Sequence, residues 1–219
     1  MPRALFEKNG TAIYISHLDL MRLFQRAFKR AGLPLTHTRG FNPRPSVSIA
    51  LPLSLGVSSQ CELLDFDLEG EKIPNEEILE KLNDSLVEGV KVLQVYDGGL
   101  KIGKLAYLDC TVTLEYDRLL PSDAAAQLEA LFAREELLVE KKSKNGIAEQ
   151  NIIPMIRRLT VEQPNGQEIL LRARICCQNP TLNPAQLAAA VEKYIPELAP
   201  DFTVCSRVEI YDTDNQVFR

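Results

Sequence analysis

Apolar and polar residues alternate through "SVSIALPL" (46–53), "CELLDFDLE" (61–69) and "VKVLQVYD" (90–97), the period-two signature of half-buried strands. Between residues 18 and 31 the period changes. Leu20, Phe24, Ala27, Phe28 and Ala31 recur at steps of three and four, which makes one apolar stripe on a helix. Ser16 stands where it can cap that helix, Asp19 lies in its first turn, and Gly32 and Pro34 end it. A strand over 4–15 precedes it, and a second helix over 75–87 follows Pro74. The first hundred residues therefore read β-α-β-β-α-β, the split β-α-β order of ferredoxin-like domains. Leu20, Phe24, Phe28, Ile49, Leu51 and Leu64 are its expected core.

A Gly/Lys-rich stretch, "DGGLKIGK" (97–104), reads as a linker, and beyond it the order repeats. "AYLDCTVTLEY" (106–116), "ELLVEKK" (136–142), "EILLRARICC" (168–177) and "FTVCSRVEIYD" (202–212) are strand-like. "SDAAAQLEALFAR" (122–134) and "NPAQLAAAVEKYI" (183–195) are helical, the first capped by Ser122 or Asp123. The long connection at 145–167 is expected to hold a short helix and then a turn at Pro164-Asn165-Gly166. The expected fold class is α+β, two tandem ferredoxin-like domains over 1–98 and 105–219.

Composition sharpens this little. At 45% hydrophobic residues the chain is that of an ordinary packed protein. No stretch approaches the roughly 20 apolar residues of a membrane span, and the N-terminus lacks a secretory run, so a cytoplasmic protein is expected. Cys61, Cys110, Cys176, Cys177 and Cys205 are odd in number, show no C-x-x-C spacing and read as buried reduced thiols. Charge is more informative. Residues 1–50 carry eight Lys/Arg against Glu7 and Asp19, a surplus of +6, while the remainder is −11. An anionic partner is expected on the N-terminal segment.

Arg22, Arg26, Lys29 and Arg30 follow one another at i, i+4, i+7 and i+8, along one side of the first helix. Beyond it, "THTRGFNPRP" (36–45) holds Pro43 and Pro45, which push Asn42 and Arg44 toward extended conformations, and Gly40, which permits a positive φ. A rigid loop presenting Arg39, Phe41, Asn42 and Arg44 is expected. With the basic helix face it would form two walls of an anion groove. The candidate binding residues are His17, Asp19, Arg22, Arg26, His37, Arg39, Phe41, Asn42 and Arg44. A solvated helix face and a loop held down by Glu62 or Asp65 is the structural alternative.

The S-H-L-D-L-x-R stretch (16–22) and the G-F-N-P-x-P stretch (40–45) resemble the radical-SAM-linked proteins, a bacterial domain of unknown function. The resemblance spans about residues 3–70. It implies a partner, a radical SAM protein that often also binds cobalamin and is fused to or encoded beside the member, and an accessory role with no catalytic residues assigned.

The residues agree that radical chemistry lies elsewhere, since the three closely spaced thiolates that hold an iron–sulfur cluster are missing. His17 and His37 lie near no Cys pair and in no H-E-x-x-H motif, so no metal or cofactor is expected. As catalytic residues they would fit an RNA-processing endonuclease, but the C-terminus lacks that class's glycine-rich loop. "HTRGFNP" shares only Arg-Gly with the catalytic motif of tandem ferredoxin-like pseudouridine synthases. RNA binding on the first sheet face is disfavoured by Glu62, Asp65, Asp67 and Glu69 around Phe66, whose charge would repel phosphate. The expectation is a non-enzymatic accessory protein binding an anionic substrate such as RNA, or else a protein–protein adaptor docking on the radical SAM enzyme.

Overall fold

The computed structural model describes residues 1–143 and 146–219. The chain divides into two compact units, residues 1–103 with Arg219, and residues 104–218. Each is a mixed α/β unit with two of the four α-helices found among the described residues.

In the first unit the strands are β1 (Pro2–Lys8), β2 (Val47–Ile49), β3 (Ser58–Phe66) and β4 (Val90–Asp97), with helices α1 (His17–Arg30) and α2 (Asn75–Ser85). They pair in the order β4-β1-β3-β2, antiparallel throughout. Ser16 caps α1 as its sequence position indicates: its hydroxyl accepts from the Asp19 amide at 3.2 Å. The apolar stripe of α1 is buried through Leu20, Phe24, Ala27 and Phe28, against Ala4 and Phe6 of β1 and Leu64 and Phe66 of β3. Two ring pairs lock the layers, Phe6 with Phe24 at 4.8 Å and Phe28 with Phe66 at 4.9 Å. Burial of each phenylalanine contributes about 1.5–3 kcal/mol.

Two local expectations are corrected. The strand expected over 4–15 ends at Lys8, and residues Gly10–Tyr14 wind into a 3-10 turn. Lys8 supplies the reason. Its side chain is almost wholly buried, and Nζ donates to the Ile13 and Ile15 carbonyls at 3.1 and 2.8 Å, acceptors that a continued strand would carry away. The strand expected over 46–53 shrinks to Val47–Ile49, because Pro52 has no amide to donate to a ladder; Leu51 is half-buried, outside the core.

The second unit holds β5 (Leu105–Glu115), α3 (Ala124–Phe132), β6 (Leu138–Ser143), β7 (Gly146–Asn151), β8 (Ile156–Asn165), β9 (Glu168–Cys176), α4 (Ala185–Tyr194) and β10 (Phe202–Asp212). Its main sheet runs β10-β5-β9-β8, and among the described residues β6 pairs with β7 in a separate hairpin. The stretch "ELLVEKK" is thus a strand but not the one beside β9. That place belongs to β8, inside the segment read as a connection. The short helix expected there is the 3-10 turn Ile153–Met155, and Asn145, where the segment begins, lies outside the described residues. Leu108, Cys110, Val112 and Leu114 of β5 and Ile169, Leu171, Ala173 and Ile175 of β9 are buried, along with Leu128 and Leu131 of α3 and Leu187 and Val191 of α4.

Candidate functional site

The N-terminal surplus of positive charge is smaller on the surface than in the sequence. Arg3 is buried and forks onto Asp65, and Lys8 is buried under the 3-10 turn. Arg30 donates to the Ser85 carbonyl at the end of α2, where that helix's last carbonyls lack intrahelical partners. Arg22 donates to Asp19 at 2.9 Å, and the Ser16 hydroxyl donates to the other oxygen of that carboxylate at 2.7 Å. The hydrogen bond from Ser16 and the Arg22 cation hold the Asp19 carboxyl below its ordinary range. Four basic side chains of this segment remain exposed and without a hydrogen bond or ion pair among the described residues: Arg26, Lys29, Arg39 and Arg44.

The loop beyond α1 is tied at its base. Thr36 donates through its amide and hydroxyl to Asp67, the Ser46 amide reaches the Thr36 carbonyl at 2.7 Å, and His37 bridges Pro45. Thr38 and Arg44 close the next rung, amide to carbonyl at 2.8 Å and amide to hydroxyl at 3.0 Å. Above that rung, Gly40 turns the chain with φ +144°, a region that a side chain would strain. Arg39, Phe41, Asn42 and Arg44 are all exposed to solvent, and Phe41 is 103% exposed. His37 lies 3.8 Å from Glu69, and His17 is half-buried as the first residue of α1.

The structure thus gathers Asp19 with Arg22 on the helix, and His37, Arg39, Phe41, Asn42 and Arg44 on one hairpin-like loop. No hydrogen bond, ion pair or ring contact joins the two sets among the described residues. Asp65, one of the two acids that could have held the loop down, is engaged by Arg3 instead.

A second cluster escaped the sequence reading. On the second unit Arg157, Arg158 and Arg174 line one cavity with Tyr107 and Asn215. Asp109 sits among them: Arg174 donates to both its oxygens at 2.7 and 2.9 Å, and Arg158 approaches one at 3.5 Å. Burial works against the Asp109 carboxylate, but the Arg174 hydrogen bonds and charge outweigh it and hold the group below its ordinary range. Arg174 also covers the Tyr211 ring at 3.6 Å, and Arg157 covers Tyr107 at 5.1 Å. The available signal was the arginine pair in "IRRLTVEQ" and the alternating arginines of "LRARI", both on strands but 14 or more positions apart.

All five cysteines are buried and free. Burial pushes Cys110 and Cys177 up to about 12 and Cys205 to about 11, so these three stay protonated thiols at neutral pH. No group of three or more potential metal ligands occurs among the described residues. No described helix is long and apolar enough to cross a membrane.

A mixed α/β chain of two such units, with this sequence, matches one protein family over residues 2–184. The protein belongs to that family, described as an uncharacterized protein conserved in bacteria (DUF2344). No curated protein matches the sequence. Among solved structures, the chain is similar to a Cbf5-Nop10-Gar1 complex, with a TM-score of 0.53 at 8% identity over 95% of this chain. It spans about half, 48%, of the chain that it matches there. A protein described as unknown, from Galdieria sulphuraria, aligns over 94% of this chain and 96% of its own at 12% identity and a TM-score of 0.25.

Proposed function

We propose that the chain is a non-enzymatic accessory protein of a radical SAM enzyme, and that it binds that enzyme's anionic substrate, RNA, through the surface of residues 17–44. The observation that carries this reading is the loop. A phenylalanine held fully in solvent on a hydrogen-bonded hairpin, with exposed arginines on either side, has no folding rationale but is suited to stacking on a base while guanidinium groups hold phosphate. Its pinned base also limits the entropy lost on binding. Of the helix residues, Arg26 and Lys29 are the ones left to contact phosphate. Arg22, tied to Asp19, has a supporting part, and His17 and Asp19 order the start of the helix.

The link to a radical SAM partner, itself cobalamin-binding in many cases, rests on the resemblance carried by residues 16–22 and 40–45. The reading as two tandem ferredoxin-like domains rests on the β-α-β-β-α-β order and the strand order 4-1-3-2 within each unit, the second interrupted by the β6–β7 hairpin.

The test is binding of a short single-stranded RNA to the isolated chain across a salt series. With four cations at phosphates the slope of log affinity against log salt is about −3. Absence of RNA binding, together with retention of the radical SAM partner on the immobilised chain, would assign the same surface to a protein–protein contact.

A further inference from the structure

The arginine cluster of the second unit shares no residue with the helix and loop of the first, and nothing in the proposed accessory role uses it. We propose that it is a binding site for a nucleotide, with the phosphate seated between Arg157 and Arg158.

The charge balance points there first. Arg158 and Arg174 face each other directly across β8 and β9, a like-charge pairing that disfavours the ladder. Asp109, opposite Arg174 on β5, is shared unequally between them. Both its oxygens accept from the Arg174 fork, and Arg158 is left with a 3.5 Å approach to an oxygen already engaged. Arg174 is 17% exposed, whereas Arg158 is 65% exposed. Arg157 spends one donor on the Tyr107 hydroxyl at 3.2 Å. A guanidinium has five N–H donors, so most of those on Arg157 and Arg158 face solvent. Glu209, across from Asp109 on β10, is the other nearby acid, and it accepts from the Ile210 amide. At the polar cavity three cations stand against these two acids, a local surplus of one positive charge, with Glu129 the acid of the neighbouring hollow.

Shape supplies the second argument. The polar cavity beside Asp109 has a volume of about 420 Å³. A second cavity of about 340 Å³ shares Arg157 and Arg158 and is otherwise lined by Glu129, Phe132, Ala133, Ile153, Ile156 and Leu159. Two adjoining hollows that share the paired arginines, one mainly polar and one with five apolar side chains beside its charged ones, match a ligand that joins a phosphate to a flat group with apolar faces and polar edges. Arginine's planar fork suits the phosphate, and volumes of this size accommodate a nucleotide. Asn215 at the polar rim is held at φ +59°, where Asn is among the residues most often found, and its Oδ1 accepts from Arg174 at 3.4 Å.

The experiment is calorimetric titration of the full chain with AMP, with adenosine and with inorganic pyrophosphate. AMP is expected to bind saturably and adenosine at least about tenfold more weakly. Arg158→Ala and, separately, Arg157→Ala are expected to weaken AMP binding about tenfold or more. Arg172→Ala should not, because Arg172 lies on the same sheet but pairs with Glu162 and lines neither cavity. A 5′-phosphorylated RNA oligonucleotide and its 5′-hydroxyl twin separate the sources: preference for the phosphorylated end over AMP assigns the site to a nucleic-acid terminus, and equal affinity assigns it to free nucleotides. Pyrophosphate binding as tightly as AMP would remove the role given to the second hollow. No saturation by AMP at about 1 mM, equal binding of adenosine, or an equal loss in Arg172→Ala would overturn the site. Because Arg39 and Arg44 are intact in these variants, failure here is distinguishable from failure of the RNA-binding loop.

Discussion

Arg3 and Asp65 face each other directly across β1 and β3 and close a two-point ion pair, Nε to Oδ1 at 2.6 Å and Nη2 to Oδ2 at 3.0 Å. The second unit closes the same fork across its first and third main-sheet strands with the charges exchanged, Asp109 on β5 and Arg174 on β9. A tyrosine of the last strand accompanies each: Tyr96 is opposite Arg3, and Tyr211 lies under Arg174. In both pairs the fork outweighs the cost of burial and favours the arginine's charged form.

Breaking the first fork leaves a buried guanidinium without its counter-charge. Asp65→Asn is expected to lower stability by about 2–4 kcal/mol, read as a shift of the urea midpoint at constant slope. Gly99→Ala should destabilise too: a Cβ there would sit 2.7 Å from Arg3 Nη1, on a backbone at φ +138°.

The second fork gives a pH dependence. Because the folded state holds Asp109 below its ordinary pKa, its contribution is complete above about pH 4 and is lost as pH falls through the folded value. Asp109→Asn is expected to cost about 1–3 kcal/mol at neutral pH. The gap between wild type and variant should close on acidification, as measured by urea unfolding at about pH 7 and again below about pH 4.

Lys8 gives the opposite electrostatic case. Burial lowers its pKa, Glu62 partly offsets that, and the ammonium is held by the Ile13 and Ile15 carbonyls. With the folded pKa below the unfolded one, this group's contribution to stability should rise with pH through the window between the two. Lys8→Met is expected to cost about 3 kcal/mol by leaving those two carbonyls and Glu62 without the charge, as measured by urea unfolding.

The five buried thiols define a labelling experiment. The native protein should react slowly with a thiol reagent such as dithionitrobenzoate and show five reactive equivalents on unfolding in guanidinium. Rapid native labelling of one cysteine would show that its segment opens.

How much of this was legible in the sequence depended on distance along the chain. The cap at Ser16 and the stripe from Leu20 to Phe28 are local, and period and capping chemistry located them within a residue. β8 was missed because it buries no side chain: its polar Arg157, Arg158, Thr160 and Glu162 read as a loop, and only pairing with β9 makes it a strand. "ELLVEKK" alternates correctly, yet periodicity cannot name the partner, and its ladder goes to β7. The charge surplus of residues 1–50 was visible, but Arg3 and Asp65 are 62 positions apart, so nothing local showed that Arg3 and Lys8 are interior groups.

The loop variant Arg39→Ala/Arg44→Ala bears most directly on the proposed function. Neither side chain has a hydrogen-bond or ion-pair partner among the described residues, so the melting temperature should be unchanged, while affinity for single-stranded RNA should fall by about 1.5–3 kcal/mol for each phosphate left without its guanidinium. Phe41→Ala should remove about a further 1–3 kcal/mol by abolishing base stacking. Unchanged RNA affinity in the double variant, measured beside an intact melting curve, would contradict the assignment of this surface to RNA.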